Sequence, residues 1–191
     1  MLTESLGSLY CFTSSSASSS SSNDEAGVVN GHDRGSFEVT LSGLTIPNSV
    51  GWSPDRRTMY FTHSSARQVL AWDYDVSDGG KLSNQRVFYQ HDGPGEPDGF
   101  RVDRDGNVWH AVYGEGRVLK LSPEGRLVGQ IKLPTRNITC CEFVGTELFI
   151  TTAADDEAEG GEESKKFGGG LFRVDVGTTG LAHYKFKLQA E

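Results

Sequence analysis

The sequence predicts an all-β chain of β-propeller type, an incomplete arc of about four blades. Three observations carry this. Short apolar and aromatic runs are separated by clusters of Gly, Asp, Asn, Ser and Pro, the pattern of strands joined by tight turns. These runs recur at intervals of 40 to 53 residues, the length of a propeller blade. No window holds an apolar stripe at helical spacing for three turns.

One family of strands spans residues 7–12 (G-S-L-Y-C-F), 67–74 (R-Q-V-L-A-W-D-Y), 116–122 (G-R-V-L-K-L-S) and 170–176 (G-L-F-R-V-D-V). Val69, Val118 and Leu171 fall at one position of it, 49 and 53 residues apart. Leu9 precedes Val69 by 60 residues, the extra length being a serine insertion. A second family precedes the last three members: residues 58–62 (T-M-Y-F-T), 107–112 (N-V-W-H-A-V) and 147–151 (E-L-F-I-T). Met59, Val108 and Leu148 are its equivalent positions, 49 and 40 residues apart. The first repeat is incomplete, which points to a missing N-terminal half of a larger ring. The chain reads as a single, partial propeller domain over 1–191.

Two segments break the pattern. Residues 13–35 contain a serine tract followed by polar and glycine residues, and read as a flexible insertion between two strands. Residues 154–168 are acidic and glycine-rich, and read as a flexible, exposed loop. Calcium ligation by that loop is disfavoured, because no alternating ligand pattern with a turn glycine is present.

The bulk composition excludes several partner classes. The 191 residues suffice for one domain with a core. A net charge of -8 argues against a nucleic acid held through its phosphates. No apolar run is long enough for a membrane span, and no secretory signal is visible. Cys11, Cys140 and Cys141 have no framework spacing, which fits a reducing cytoplasm. Adjacent Cys140 and Cys141 would face opposite sides of a strand. The oligomeric state is not legible.

The chemistry concentrates in two similar stretches. Residues 46–62 read I-P-N-S-V-G-W-S-P-D-R-R-T-M-Y-F-T, and residues 96–111 read E-P-D-G-F-R-V-D-R-D-G-N-V-W-H-A. In each, a polar residue follows a proline and leads into an apolar strand, a turn and an aromatic strand. That residue is Asn48 in the first copy and Asp98 in the second. Both are hard oxygen donors suited to calcium, with magnesium, manganese and zinc as alternatives. Their ordinary readings are a turn-capping Asn48 and a turn Asp98, since P-D-G is a common turn sequence. Glu96 is expected on the other side of an extended segment from Asp98. Trp52, Trp72 and Trp109 are expected in the blade core, and His63 within a strand.

At these motifs the chain resembles the family of senescence marker protein (regucalcin), gluconolactonase and luciferin-regenerating enzyme. The resemblance covers residues 37–186 and continues through V-L-A-W-D-Y-D, G-R-V-L-K-L-S-P-E-G, K-L-P-T-R-N-I-T-C-C-E-F and G-G-G-L-F-R-V. P-D-G followed by D-x-x-G-N-x-W is its most specific part. The resemblance implies a six-bladed propeller with one divalent metal in its central channel and a small-molecule lactone as substrate. It implies that Asn48 and Asp98 are metal ligands and that Asp98 is the general base. Two departures stand out. The family's glutamate ligand and substrate-contacting arginine and asparagine belong to segments before this chain's first residue. His63 stands where the family has an aspartate, and Ser49 where it has a glycine. Two functions therefore follow: a metal-dependent lactone or ester hydrolase, or a truncated, non-catalytic propeller acting as a calcium-binding or interaction module.

Overall fold

The computed structural model describes residues 7–14, 35–156 and 160–183. Most of the predicted serine insertion, 15–34, lies outside them. The chain divides into two compact units, Met1–Pro47 and Asn48–Glu191. In the first, β1 (Gly7–Ser14) and β2 (Gly35–Leu44) form an antiparallel pair.

The second unit carries three antiparallel sheets, each ordered as its strands occur in the chain. One contains β3 (Pro47–Trp52), β4 (Thr58–His63), β5 (Gln68–Asp75) and β6 (Lys81–Gln90). The next contains β7 (Glu96–Val102), β8 (Val108–Tyr113), β9 (Arg117–Leu121) and β10 (Leu127–Lys132). The third contains β11 (Ile138–Val144), β12 (Glu147–Thr152) and β13 (Leu171–Asp175). The chain is thus all-β, and the strand families read from the sequence are β1, β5, β9 and β13, and β4, β8 and β12. Their equivalence holds in the register. Val69 faces Thr62, Val118 faces Ala111 and Leu171 faces Thr151.

Strand alternation builds the core. On β8, Val108 and Val112 point to one face and join Tyr60, Val69, Ala71, Phe100, Leu119 and Leu121. Trp109 and Ala111 point to the other and join Val118, Ile138, Phe143, Leu148 and Ile150. A central strand buried on both faces explains why β8 is apolar at nearly every position. Each fully buried Val, Leu or Ile contributes roughly 1.5–3 kcal/mol. Trp72 and Trp109 lie in this interior as expected, whereas Trp52 is only half-buried and stacks edge-on against Tyr74.

The turn between β7 and β8 explains the specificity of D-x-x-G-N-x-W. Buried Asp103 accepts from the backbone N–H groups of Asp105 and Asn107, from Asn107 Nδ2, and from Trp109 Nε1 at 2.9 Å. Gly106 closes the turn at φ 86°, where a side chain would be strained. Ser53 and Ser122 cap the corresponding turns of β3–β4 and β9–β10, accepting from the N–H groups of Thr58 and Arg126. The motif is therefore structural, and its role is to close a hairpin.

One expectation is revised. Gly161–Phe167 forms a helix, α1, inside the segment read as loop over 154–168. Glu162 and Glu163 open it and Lys165 and Lys166 end it, matching the helix dipole. Its single buried residue, Ser164, donates to Asp155 Oδ2 at 2.5 Å and accepts from the Arg136 N–H at 3.0 Å. Seven residues are too few to show helical periodicity, so the sequence pattern could not reveal it.

Candidate metal and active site

Strands β3 and β7 bring the two repeated polar residues together. Asn48 Nδ2 donates to Asp98 Oδ1 at 2.7 Å, across 50 residues of chain. It also donates to Ser64 Oγ at 3.2 Å, just beyond the end of β4. Ser49 Oγ lies 3.5 Å from Asn48 Oδ1 and accepts from the Phe100 N–H at 3.3 Å, tying β3 to β7 at this level. Spacing alone gives no sign of Ser64, whose role depends on how β4 ends.

Asp98 does not sit in a turn. It lies within β7, where the register against β8 slips between Pro97 and Phe100. Such a bulge re-aims a side chain, which is why bulges gather at sites. Gly99 follows because a Cβ there would fall 2.4 Å from Cys140 Sγ and 2.8 Å from the Thr139 carbonyl oxygen. The glycine of P-D-G is a close-packing requirement between β7 and β11 rather than a turn residue.

Burial pushes the Asp98 carboxyl above the ordinary carboxylate value; the Asn48 hydrogen bond draws it back, and the Glu96 charge raises it further. Glu96 thus acts on Asp98 electrostatically, and strand alternation gives no ground for placing it opposite, since residues two apart on a regular strand share a side.

The start of β7 is pinned by a buried cluster that the motifs do not reveal. Glu115 Oε1 lies 2.8 Å from His91 Nε2 and accepts from the Gly95 N–H at 2.9 Å, while Arg117 Nε donates to its other oxygen at 2.6 Å. Burial alone would raise the Glu115 carboxyl, but these donors outweigh it and hold the group below its usual value.

The donors present fit a divalent cation as one side of a coordination shell. Asp98 is half-buried and has no ion-pair partner among the described residues. The Asn48 amide presents its nitrogen to Asp98; a half turn about its Cβ–Cγ bond would present the oxygen. Among the described residues no group of three His, Cys, Asp or Glu side chains is placed to hold a metal. His63 is not drawn in by hydrogen bonding. Its Nε2 is buried without a hydrogen-bond partner among the described residues, and burial lowers its pKa.

A pocket of about 490 Å³ opens farther along the same strands, lined by Val50, Trp52, Phe100, Arg101, Glu142 and Phe143 among others, but by neither Asn48 nor Asp98. Within it, Arg101 Nε donates to Glu142 Oε2 at 2.7 Å. Cys140 is half-buried, and Cys141 is buried with its thiol donating to the Trp109 carbonyl; both are free, as adjacent cysteines facing opposite ways should be.

The family model for the SMP-30/gluconolactonase/LRE-like region matches residues 2–154. The chain belongs to this family. Members similar to it include pentonolactonase XacC of Haloferax volcanii, 34% identical over 158 residues, covering 79% of this chain and 54% of the relative. L-arabinolactonase of Azospirillum brasilense is 33% identical over 166 residues, covering 83% and 55%. Regucalcin of Xenopus laevis is 35% identical over 149 residues, covering 75% and 50%. The chain therefore spans about half the length of these SMP-30/gluconolactonase relatives. A solved luciferin-regenerating enzyme superposes with a TM-score of 0.72 at 32% identity, covering 80% of this chain and 52% of that one. The calcium-binding regucalcin of Agrobacterium tumefaciens shares the fold with a TM-score of 0.73 at 24% identity, covering 81% and 54%.

Proposed function

We propose that this chain carries one side of a gluconolactonase-type active site, in which a divalent metal and Asp98 hydrolyse a small-molecule lactone. The observation that carries it is the 2.7 Å contact between Asn48 and Asp98 on two adjacent sheets. Lactonases among the relatives support the substrate class. The successive sheets and the likeness to the luciferin-regenerating enzyme support reading residues 1–191 as one arc of a six-bladed propeller.

In this reading Asn48 Oδ1 and the Asp98 carboxylate hold the cation. Calcium is preferred for their hard oxygens, with magnesium, manganese or zinc as alternatives. A bound cation would supply Lewis acidity at the lactone carbonyl and lower the pKa of a nearby water. Asp98 is placed to accept the proton of the attacking water. Without the cation, Asn48 Nδ2 holds Asp98 and Ser64; with it, the turned amide would exchange those two contacts for ligation through Oδ1. Nucleic acid is not a partner in this reading, and the cytoplasm is the proposed location. No helix among the described residues is long and apolar enough to cross a membrane.

The test is calcium-dependent hydrolysis of D-glucono-1,5-lactone by the purified chain and by Asp98→Ala. Turnover that requires both calcium and Asp98 supports the hydrolase. Calcium binding without turnover favours the second reading, a non-catalytic calcium-binding or interaction module.

A further inference from the structure

The bulge that aims Asp98 occurs again, one sheet farther on. In the second sheet, Asp98 and Gly99 occupy the slip between the pairs Pro97–Val112 and Phe100–His110, opposite Ala111. In the third, Thr139 occupies the slip between the pairs Ile138–Thr152 and Cys140–Thr151. Ala111 and Thr151 are themselves equivalent, since they face Val118 and Leu171. Thr139 therefore stands on β11 where Asp98 stands on β7.

The two positions are also close in space. The Thr139 carbonyl oxygen would lie 2.8 Å from a Cβ on Gly99, the residue after Asp98. The Asp98 charge is felt by the thiol of Cys140, the residue after Thr139. At this point the third sheet offers hydroxyls rather than charge. Thr139 Oγ1 and Thr151 Oγ1 are 2.8 Å apart, and the Thr151 hydroxyl also reaches the Cys140 carbonyl at 3.4 Å. Thr139 Oγ1 has no other hydrogen-bond partner among the described residues. Thr151 is exposed and Thr139 half-buried. A neutral pair of this kind, with unused acceptor capacity, matches a hydroxyl donor of a polyol.

We propose that Thr139, backed by Thr151, is a specificity-determining residue that hydrogen-bonds a ring hydroxyl of the lactone. This rests on the lactonase reading above. A threonine pair across two strands is also an ordinary sheet-stabilising contact, so the test must separate recognition from stability.

The experiment compares hydrolysis of D-glucono-1,5-lactone and δ-valerolactone, its counterpart without hydroxyls, by the full chain with calcium. Thr139→Val should raise KM for gluconolactone about tenfold more than for δ-valerolactone, as expected for one lost hydrogen bond. Thr139→Ser, which keeps the hydroxyl, should restore discrimination. Ligand-observed NMR of D-gluconate should show the same loss of binding in the valine variant and recovery in the serine variant. Equal losses on both lactones, or none, would overturn the proposal and leave the lactonase reading standing. A wild-type chain that hydrolyses neither lactone would overturn that reading and this proposal with it.

Discussion

Asn48 and Asp98 touch at 2.7 Å although they lie on different sheets. The contact leaves a half-buried carboxylate beside a neutral partner, with no cationic side chain paired to it among the described residues. Burial without a paired charge disfavours the ionised form, and this sets the first prediction.

Asp98→Asn should stabilise the metal-free chain at neutral pH, by less than about 1 kcal/mol because partial exposure screens the penalty. The sign follows from the raised pKa. The folded state resists ionisation of Asp98, so the wild type loses stability as pH rises through that pKa and regains it as pH falls. The advantage of the variant should therefore vanish in acid. Calcium should reverse the order at neutral pH, stabilising the wild type by about 2.7 kcal/mol at a hundred times Kd and the variant far less. Urea unfolding with calcium or with a chelator reads both effects.

Gly99→Ala should cost about 2–3 kcal/mol, because the new methyl meets Cys140 and the Thr139 carbonyl well inside contact distance. Cys140→Ala should rescue it only in part, since the Cys140 Cβ and the Thr139 oxygen remain in the way. Full rescue by the double variant would show that β7 and β11 approach less closely.

Asp103→Ala should destabilise by about 3 kcal/mol. It strands four N–H donors around one buried carboxylate, the Trp109 indole among them. Chemical unfolding followed by tryptophan fluorescence measures it, and a loss below about 1 kcal/mol would contradict the structural role of the motif.

His110 is a buried source of acid sensitivity. Complete burial lowers its pKa to about 4, although the Ala111 carbonyl opposes the shift. Nε2 pairs with Thr62 Oγ1 at 3.0 Å and Nδ1 with the Ala111 carbonyl at 2.9 Å, the geometry of a neutral ring. The unfolded chain takes up the proton near pH 6.5, so stability is lost as pH falls from there towards 4, by about 2 kcal/mol at pH 5. His110→Gln should flatten that limb while lowering stability at pH 7. Urea midpoints at pH 7 and pH 5 decide it, and an unchanged acid slope would remove His110 as the cause.

The central strands were legible because they combine buried apolar faces with sharp turns. Val69, Val118 and Leu171 revealed the repeat because each sits on the third strand of its sheet. The outer strands were harder to see. β6 and β10 are largely exposed, so their faces show little hydrophobic alternation. Helix α1 is held by one buried serine and an aspartate outside it, a contact that leaves no periodic trace. P-D-G suggested a turn from local propensity, but in the strand a neighbouring sheet overrides that preference. The cluster of His91, Glu115 and Arg117 carries no motif, since its members are joined only by packing.

Taken alone, the order of residues determined which segments become strands, where the hairpins close, and that an amide and a carboxylate recur at matching points of two repeats. These are local matters of side-chain period and turn chemistry. Only the packed sheets decided that the amide reaches the carboxylate, that Gly99 must lack a side chain, and that Thr139 takes the corresponding place on β11. Contacts across tens of residues depend on how bulged strands from separate sheets approach one another, and no single segment encodes that distance.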